Sequence, residues 1–304
     1  MDKRTGYDAQ RAVTIAVLNH KGGSAKTTTV VNLGGVFAAE MGLRVLAVDV
    51  DSQANCTMGL GFDPYQLSAK KRILISDVLR PSDAGGHDTA ASLRDAILVT
   101  EIPNLDLAPS SLELSRMEIA LINSMKREEK LNQILQPVRR DYDLILIDCP
   151  PSLGIFTTNA LFAADFVLIP VEAANYAVAG LTAIIDIVNG VRRNGQDVNI
   201  LGIFNTRVAA TNAAREAMEN TKRLFSTSYI DIPIQVSTAS ENAVREGRPL
   251  VISDPKHKLS QAYREIAHEV LRRAGLEDRV KAKAARPGPT GGKAALVLEK
   301  MGNE

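Results

Sequence analysis

The sequence of 304 residues predicts an α/β fold: one domain, mostly parallel, twisted sheet, helices on both faces. Three observations predict it. Short β-branched runs alternate with longer helical patterns along most of the chain. Several runs are apolar throughout, as strands buried on both faces require. No Pro/Gly/Ser linker and no internal repeat interrupts residues 13–274.

The expected strands are Val13–Leu18, Val45–Asp49, Leu105–Ala108, Leu144–Asp148, Phe166–Pro170, Ile200–Asn205 and Ile230–Ile232. Helical periodicity falls at about 26–41, 112–136, 156–163, 177–193, 210–225 and 258–274. Strand–helix–strand repetition implies right-handed crossovers that cover both faces of a layered sheet. Gly42 is an expected helix stop, and Pro137 ends the long helix before it. Residues 60–100 read as a surface excursion, with a helix near Ile73–Leu79 and a Gly/Asp-rich stretch. The expected organisation is an N-terminal tail (1–12), the domain (13–274) and a C-terminal tail (275–304) carrying a short helix.

Composition excludes several classes. Apolar residues make up 45% and charged residues 23%, too apolar for a disordered chain. No run reaches the roughly 18–20 apolar residues that span a bilayer, and the N-terminus lacks a secretory signal. A cytoplasmic protein is expected. Cys56 and Cys149 are too few for a disulfide scaffold or a four-thiolate site. Residues 241–304 carry 13 Lys/Arg against 9 Asp/Glu, a tilt that permits contact with a polyanion.

The strongest local signal is Asn19–Thr29, NHKGGSAKTTT, between an apolar strand and a helix. Gly22 and Gly23 let backbone N–H groups of the loop through Ser24 and Ala25 turn toward a phosphate. The helix N-terminus at Lys26–Thr28 adds partial positive charge. Lys26 suits the β/γ-phosphates and the Thr27 hydroxyl suits Mg2+. The ordinary G-x-x-x-x-G-K-[ST] pattern does not match, because Ala25 and His20 occupy its glycine positions. What matches is K-G-G-x-x-K-[ST], headed by a second lysine, Lys21. If the φ at Ala25 is positive, its Cβ costs about 1–2 kcal/mol.

Two further segments bring carboxylates to the same edge. The second strand ends in Asp49-Val50-Asp51, and period-two alternation puts both acids on one side of the chain. LILID delivers Asp148 to a strand tip, the arrangement that holds Mg2+ through water. Asn205 ends another apolar strand where it can meet a base edge or simply form a turn. Pro233 offers a backbone carbonyl there or plays a structural part.

These motifs resemble those of the ParA/MinD group of P-loop ATPases with a deviant Walker A motif, from about Val13 to Arg273. The match is closest to the ParA branch in its short form. D-V-D-S-Q resembles that family's D-x-D-P-Q, with Ser52 in place of proline. Pro170–Gly180 and the stretch Glu241–Tyr263 resemble its P…G turn and its G-x-P…D-P…A-Y ending. The resemblance implies that Lys21 reaches the nucleotide of a second copy across a homodimer formed with ATP. It also implies that Asp51 orients the attacking water, with Asp49 supporting the metal shell. The implied activity is slow, stimulated, Mg2+-dependent ATP hydrolysis.

The same resemblance implies non-specific DNA binding, nucleoid association and a ParB-like activator in chromosome or plasmid partitioning. Candidate DNA contacts are Arg215, Lys222, Arg223, Arg245, Arg248, Lys256, Lys258 and Arg272. No room before Val13 for a helix-turn-helix argues against operator binding. The alternatives are a MinD-like membrane-positioning ATPase, whose amphipathic helix Lys293–Gly302 supplies poorly, and ParA-like positioning of a protein cargo.

Overall fold

The computed structural model describes residues 11–80, 91–174 and 177–284. Seven strands form one sheet in the order β3-β4-β2-β5-β1-β6-β7. They are β1 (Val13–Val17), β2 (Val45–Asp49), β3 (Leu98–Val99), β4 (Leu105–Ala108), β5 (Leu144–Asp148), β6 (Phe166–Glu172) and β7 (Asn199–Thr206). All pair in parallel except the short edge strand β3, which runs antiparallel to β4. β1 lies between β5 and β6, so every parallel connection must cross a face of the sheet.

Alternating residues of the same strands feed two cores. Ile15, Val17, Val45 and Leu146 pack with Val30, Leu33, Phe37, Tyr263 and Ile266 on one face. Ala16, Leu46, Val48 and Ile147 pack with Leu121, Phe156, Leu181 and Ile184 on the other. Burial on both sides explains why these strands read as unbroken apolar runs.

Most expected elements are present, and the departures have physical causes. The first helix runs Lys26–Gly35 and widens into a π-helical turn, Val36–Glu40, before Gly42 at φ +68°. The expected helix 112–136 divides into Leu114–Ile122, the 3-10 turn Arg127–Glu129 and Lys130–Leu135. Asn159, from the neighbouring helix Ile155–Ala163, holds the break open. Its amide donates to the Arg127 carbonyl at 2.7 Å and its oxygen accepts from Leu131 N at 3.0 Å.

The expected strand Ile230–Ile232 is not a strand. The chain there runs beside β7, with Ile230 N donating to Ile203 O and Ile234 N to Asn205 O. Pro233 between them has no N–H, so a continuous ladder cannot form. Missed entirely was β3, two residues long. The helix near Ile73–Leu79 is the single turn Ile75–Val78. In the C-terminal tail, a helix spans Glu277–Ala284. The Gly/Asp-rich stretch at 81–89 and the apolar–basic piece 293–302 lie outside the described residues.

Candidate functional site

The loop after β1 is anchored from both flanks of the sheet's midline. The Asn19 amide donates to Pro170 O on β6 at 2.7 Å, and its oxygen accepts from Lys21 N at 3.0 Å. Thr206 Oγ1, at the end of β7, donates to Ser24 O at 3.1 Å. Gly23 stands at φ +73° and Ala25 at φ +64°, left-handed positions that turn successive N–H groups toward one side. Ala25 thus carries the strain the sequence implied, about 1–2 kcal/mol for a residue with a Cβ. His20 lies over Gly180 of the helix Ala177–Arg193. A Cβ at Gly180 would come within 1.9 Å of the imidazole Cε1, so only glycine fits.

A cleft of about 450 Å³ opens above the loop. Residues 22–28 of the loop and first helical turn line it, with Asp51, Gln53, Asn55, Pro151 and Arg207. Ile234–Ser237, Ser240, Val244 and Tyr263 complete the wall. This is the carboxyl edge of a parallel sheet, where open α/β folds place their ligands.

Lys26 is nearly buried and donates to the Lys21 carbonyl at 3.2 Å. Burial lowers its pKa, against the pull of Asp148. Thr27 Oγ1 donates to Asp148 Oδ2 at 2.7 Å. The other oxygen, Asp148 Oδ1, is buried without a hydrogen-bond partner. Burial, and then the facing Asp49, pushes Asp148 well up. An orphaned carboxylate oxygen beside a threonine hydroxyl and an ammonium is a donor set that fits Mg2+ carried by a polyphosphate. Thr27 and Asp148 would hold the ion, directly or through water, and Lys26 the phosphate. When bound, the ion supplies charge neutralisation for the phosphate oxygens.

The two acids of β2 separate, correcting the expectation that both face the crevice. Asp51 lines the cleft, its Oδ1 accepting from Gln53 N at 3.0 Å. Asp49 is fully buried beneath it, opposite Asp148 in the β2–β5 register. It accepts from Thr57 N at 2.9 Å, Thr57 Oγ1 at 2.8 Å and Asp51 N at 3.1 Å. Burial pushes its pKa up to about 7, in spite of those donors. Asp49 therefore shapes the loop that presents Asp51.

Two base-contact candidates also sit differently from expectation. Asn205 is fully buried, and its oxygen accepts from the Tyr229 hydroxyl at 2.8 Å. Its amide points to Val171 O at 3.4 Å, so it ties β6 and β7 together instead of lining the cleft. Pro233 stands just before the lining segment Ile234–Ser237. The sequence reading missed Arg207, Gln53, Asn55, Ser240 and Tyr263 in the wall. Of these, only Tyr263 fell at a position of a recognised motif. Cys149 and Cys56 are buried, and burial pushes both thiols well up, as packed rather than reactive groups.

Lys21 is set apart from this cluster. Its side chain is 55% exposed and forms an ion pair with Glu172, at the end of β6. It does not line the cleft that Lys26 lines.

The candidate DNA contacts are all exposed. Three already meet carboxylates: Lys222 meets Asp231 at 2.5 Å, Arg248 meets Glu101 at 2.6 Å and Arg272 meets Glu269 at 2.6 Å. Arg223 donates to the Asn220 side chain at 3.2 Å. No ion pair forms at Arg215, Arg245, Lys256 or Lys258 among the described residues.

A glycine-rich loop between a central parallel strand and a helix, with a buried lysine, a threonine and a strand-tip aspartate, defines a P-loop nucleoside triphosphatase. A family model described as an AAA domain matches residues 12–200. The chain is 37% identical over 259 residues to the sporulation initiation inhibitor protein Soj of Bacillus subtilis, covering 84% of this chain and 97% of that protein. It is 36% identical over 263 residues to the chromosome partitioning protein ParA of Caulobacter vibrioides, covering 85% and 94%. Among solved structures it is similar to cobyrinic acid a,c-diamide synthase from Mycobacterium smegmatis with bound ADP and magnesium. That match has a TM-score of 0.73 and 29% identity, over 87% of this chain and 96% of the other. The septum site-determining protein MinD from Pyrococcus horikoshii, complexed with Mg-ADP, matches with a TM-score of 0.68 and 26% identity, over 87% and 98%.

The chain belongs to the ParA/MinD family of P-loop ATPases. ATP and Mg2+ are the cofactors of this site. No helix among the described residues is long and apolar enough to cross a membrane.

Proposed function

We propose that this protein is a ParA-like ATPase that forms a sandwich dimer with ATP, binds DNA without sequence preference and drives chromosome or plasmid partitioning. A ParB-like partner stimulates its otherwise slow hydrolysis and so releases it from the nucleoid. The observation that carries the reading is the division of labour between two lysines of one loop. Lys26 lines its own cleft, whereas Lys21 stands half-exposed outside it.

Two nucleotides facing each other concentrate negative charge at one interface, and a lysine from each copy offsets it. Asp51, on the cleft wall, orients the attacking water. ATP favours the dimer because it interacts better with that state than with the single copy. Dimerisation then doubles a weak basic surface built from Arg215, Lys222, Arg223, Arg245, Arg248, Lys256, Lys258 and Arg272, giving avidity for a phosphate backbone. The 36% identity to the Caulobacter partitioning protein over nearly its whole length supports the partitioning role.

Sedimentation with saturating Mg-ATP tests this, using Asp51→Ala to block cleavage. The Asp51→Ala protein should run as a dimer, and the Lys21→Ala/Asp51→Ala protein as a single copy that still binds nucleotide. A single copy in both cases would sink the reading.

A further inference from the structure

The structure leaves one buried donor in the cleft wall without a task. Tyr263, on the helix Lys258–Ala274, is fully buried, and its hydroxyl has no hydrogen-bond partner. The Thr29 hydroxyl lies beside it, but donates to the Ala25 carbonyl at 2.7 Å. An unmet buried hydroxyl is costly in a folded protein, and each one calls for an occupant. Burial also pushes the phenol up, so the group stays a neutral donor at any working pH.

Its position says which occupant. Gly22–Thr27 and Asp51 claim one end of the cleft for phosphates and metal. What remains is walled by Arg207, Ile234–Ser237, Ser240, Val244 and Tyr263, reached by stepping from Thr27 to Thr28 along the first helix. Ile234, Val236 and Val244 offer apolar surface suited to a base. Tyr263 and Ser240 bring hydroxyls, which suit the hydroxyls of a sugar. We infer that Tyr263 is a specificity-determining residue whose hydroxyl donates to the ribose of the bound nucleotide. The inference rests on the nucleotide site alone, and neither DNA nor dimerisation enters it.

The test compares wild type with Tyr263→Phe in the full-length protein, reading thermal stability without nucleotide and equilibrium binding of Mg-ATP, 2′-deoxy-ATP and 3′-deoxy-ATP. Removing an unmet hydroxyl should leave the nucleotide-free melting temperature unchanged or raise it. ATP affinity should fall about tenfold, the usual weight of one buried hydrogen bond. One deoxynucleotide should bind wild type about tenfold more weakly than ATP, and that penalty should vanish in Tyr263→Phe. A lowered melting temperature with unchanged ATP affinity overturns the inference, because the hydroxyl would then be structural. Equal deoxynucleotide penalties in both proteins overturn it too, as does wild type that binds all three alike. Wild type that binds no ATP at all would instead remove the nucleotide site beneath it.

Discussion

At the carboxyl edge of the sheet, Lys26, Asp51 and Asp148 are held away from bulk water with hydrogen-bonding capacity to spare, down to an orphaned Asp148 Oδ1. Along the helices Asn212–Leu224 and Lys258–Ala274, the candidate DNA contacts are exposed, and Lys222 and Arg272 already have carboxylate neighbours. Charges of the first kind have been brought into a site at a cost in solvation, which a ligand of opposite charge offsets. Exposed pairs of the second kind cost little to form or to exchange, being worth about 0–1 kcal/mol. One region commits the molecule to a single chemistry. The other supplies an attraction that salt and small changes in pairing can tune.

The largest effects should therefore come from the first region. Lys26→Ala removes the buried ammonium and should weaken Mg-ATP binding at least 100-fold, read by titration with a fluorescent ATP analogue. Asp51→Ala should keep nucleotide affinity within a few-fold and lower turnover about 100-fold, the weight of a positioned group acting on water. If Asp51→Ala instead loses affinity in step with Lys26→Ala, the two sit in one binding cluster, and the separation of binding from chemistry fails.

On the basic flank the effect should be smaller and depend on salt. Arg215→Ala combined with Arg245→Ala removes two exposed cations with no ion pair among the described residues, and should weaken ATP-dependent DNA retention about tenfold at low salt. The slope of log affinity against log salt should shrink by about 0.9 for each phosphate that is no longer neutralised. An unchanged slope would move DNA binding to another face.

Ala25→Gly probes strain inside the phosphate loop. Relief at φ +64° is partly offset by the greater freedom of glycine in the unfolded chain, leaving a gain of about 1 kcal/mol in a denaturant titration. Unchanged stability, ATP affinity and turnover would mean that the loop carries no strain that matters to its chemistry.

How much of this was legible follows the same division. The phosphate loop could be read because glycines, lysine, threonine and the strand–helix context lie within a dozen residues. The strands could be read because burial on both faces leaves a continuous apolar signature. What could not be read depends on partners distant in sequence. Asp49 and Asp51 share a period, yet Thr57 turns Asp49 into the interior. Asn205 looks like a strand-end ligand until Tyr229, brought back alongside β7, occupies its oxygen. The long helix 112–136 is divided by Asn159, which no local pattern announces. Arg273 reads as one more basic residue, yet three carbonyls, Leu201 O, Ser228 O and Tyr229 O, pin it inside the fold.

Glu269 offers the finest test, because it lies where structural and recruitable cations meet. It accepts from Arg272 and from Arg273, which together hold its carboxyl down at about 2. A depressed folded pKa contributes stability that is present above the unfolded value, near 4.5, and is lost as pH falls toward 2. Wild type should thus lose stability relative to Glu269→Gln as a denaturant series moves from pH 5 to pH 3, and the two should run parallel above pH 6. Arg273 keeps its three carbonyls in the variant, whereas Arg272 loses its carboxylate and becomes available to a phosphate. Glu269→Gln should accordingly raise ATP-dependent DNA retention by a few-fold at low salt, with the gain vanishing at high salt. A variant whose stability shifts with pH as expected while its DNA retention stays flat would place Arg272 off the DNA path, leaving it a surface cation paired for packing alone.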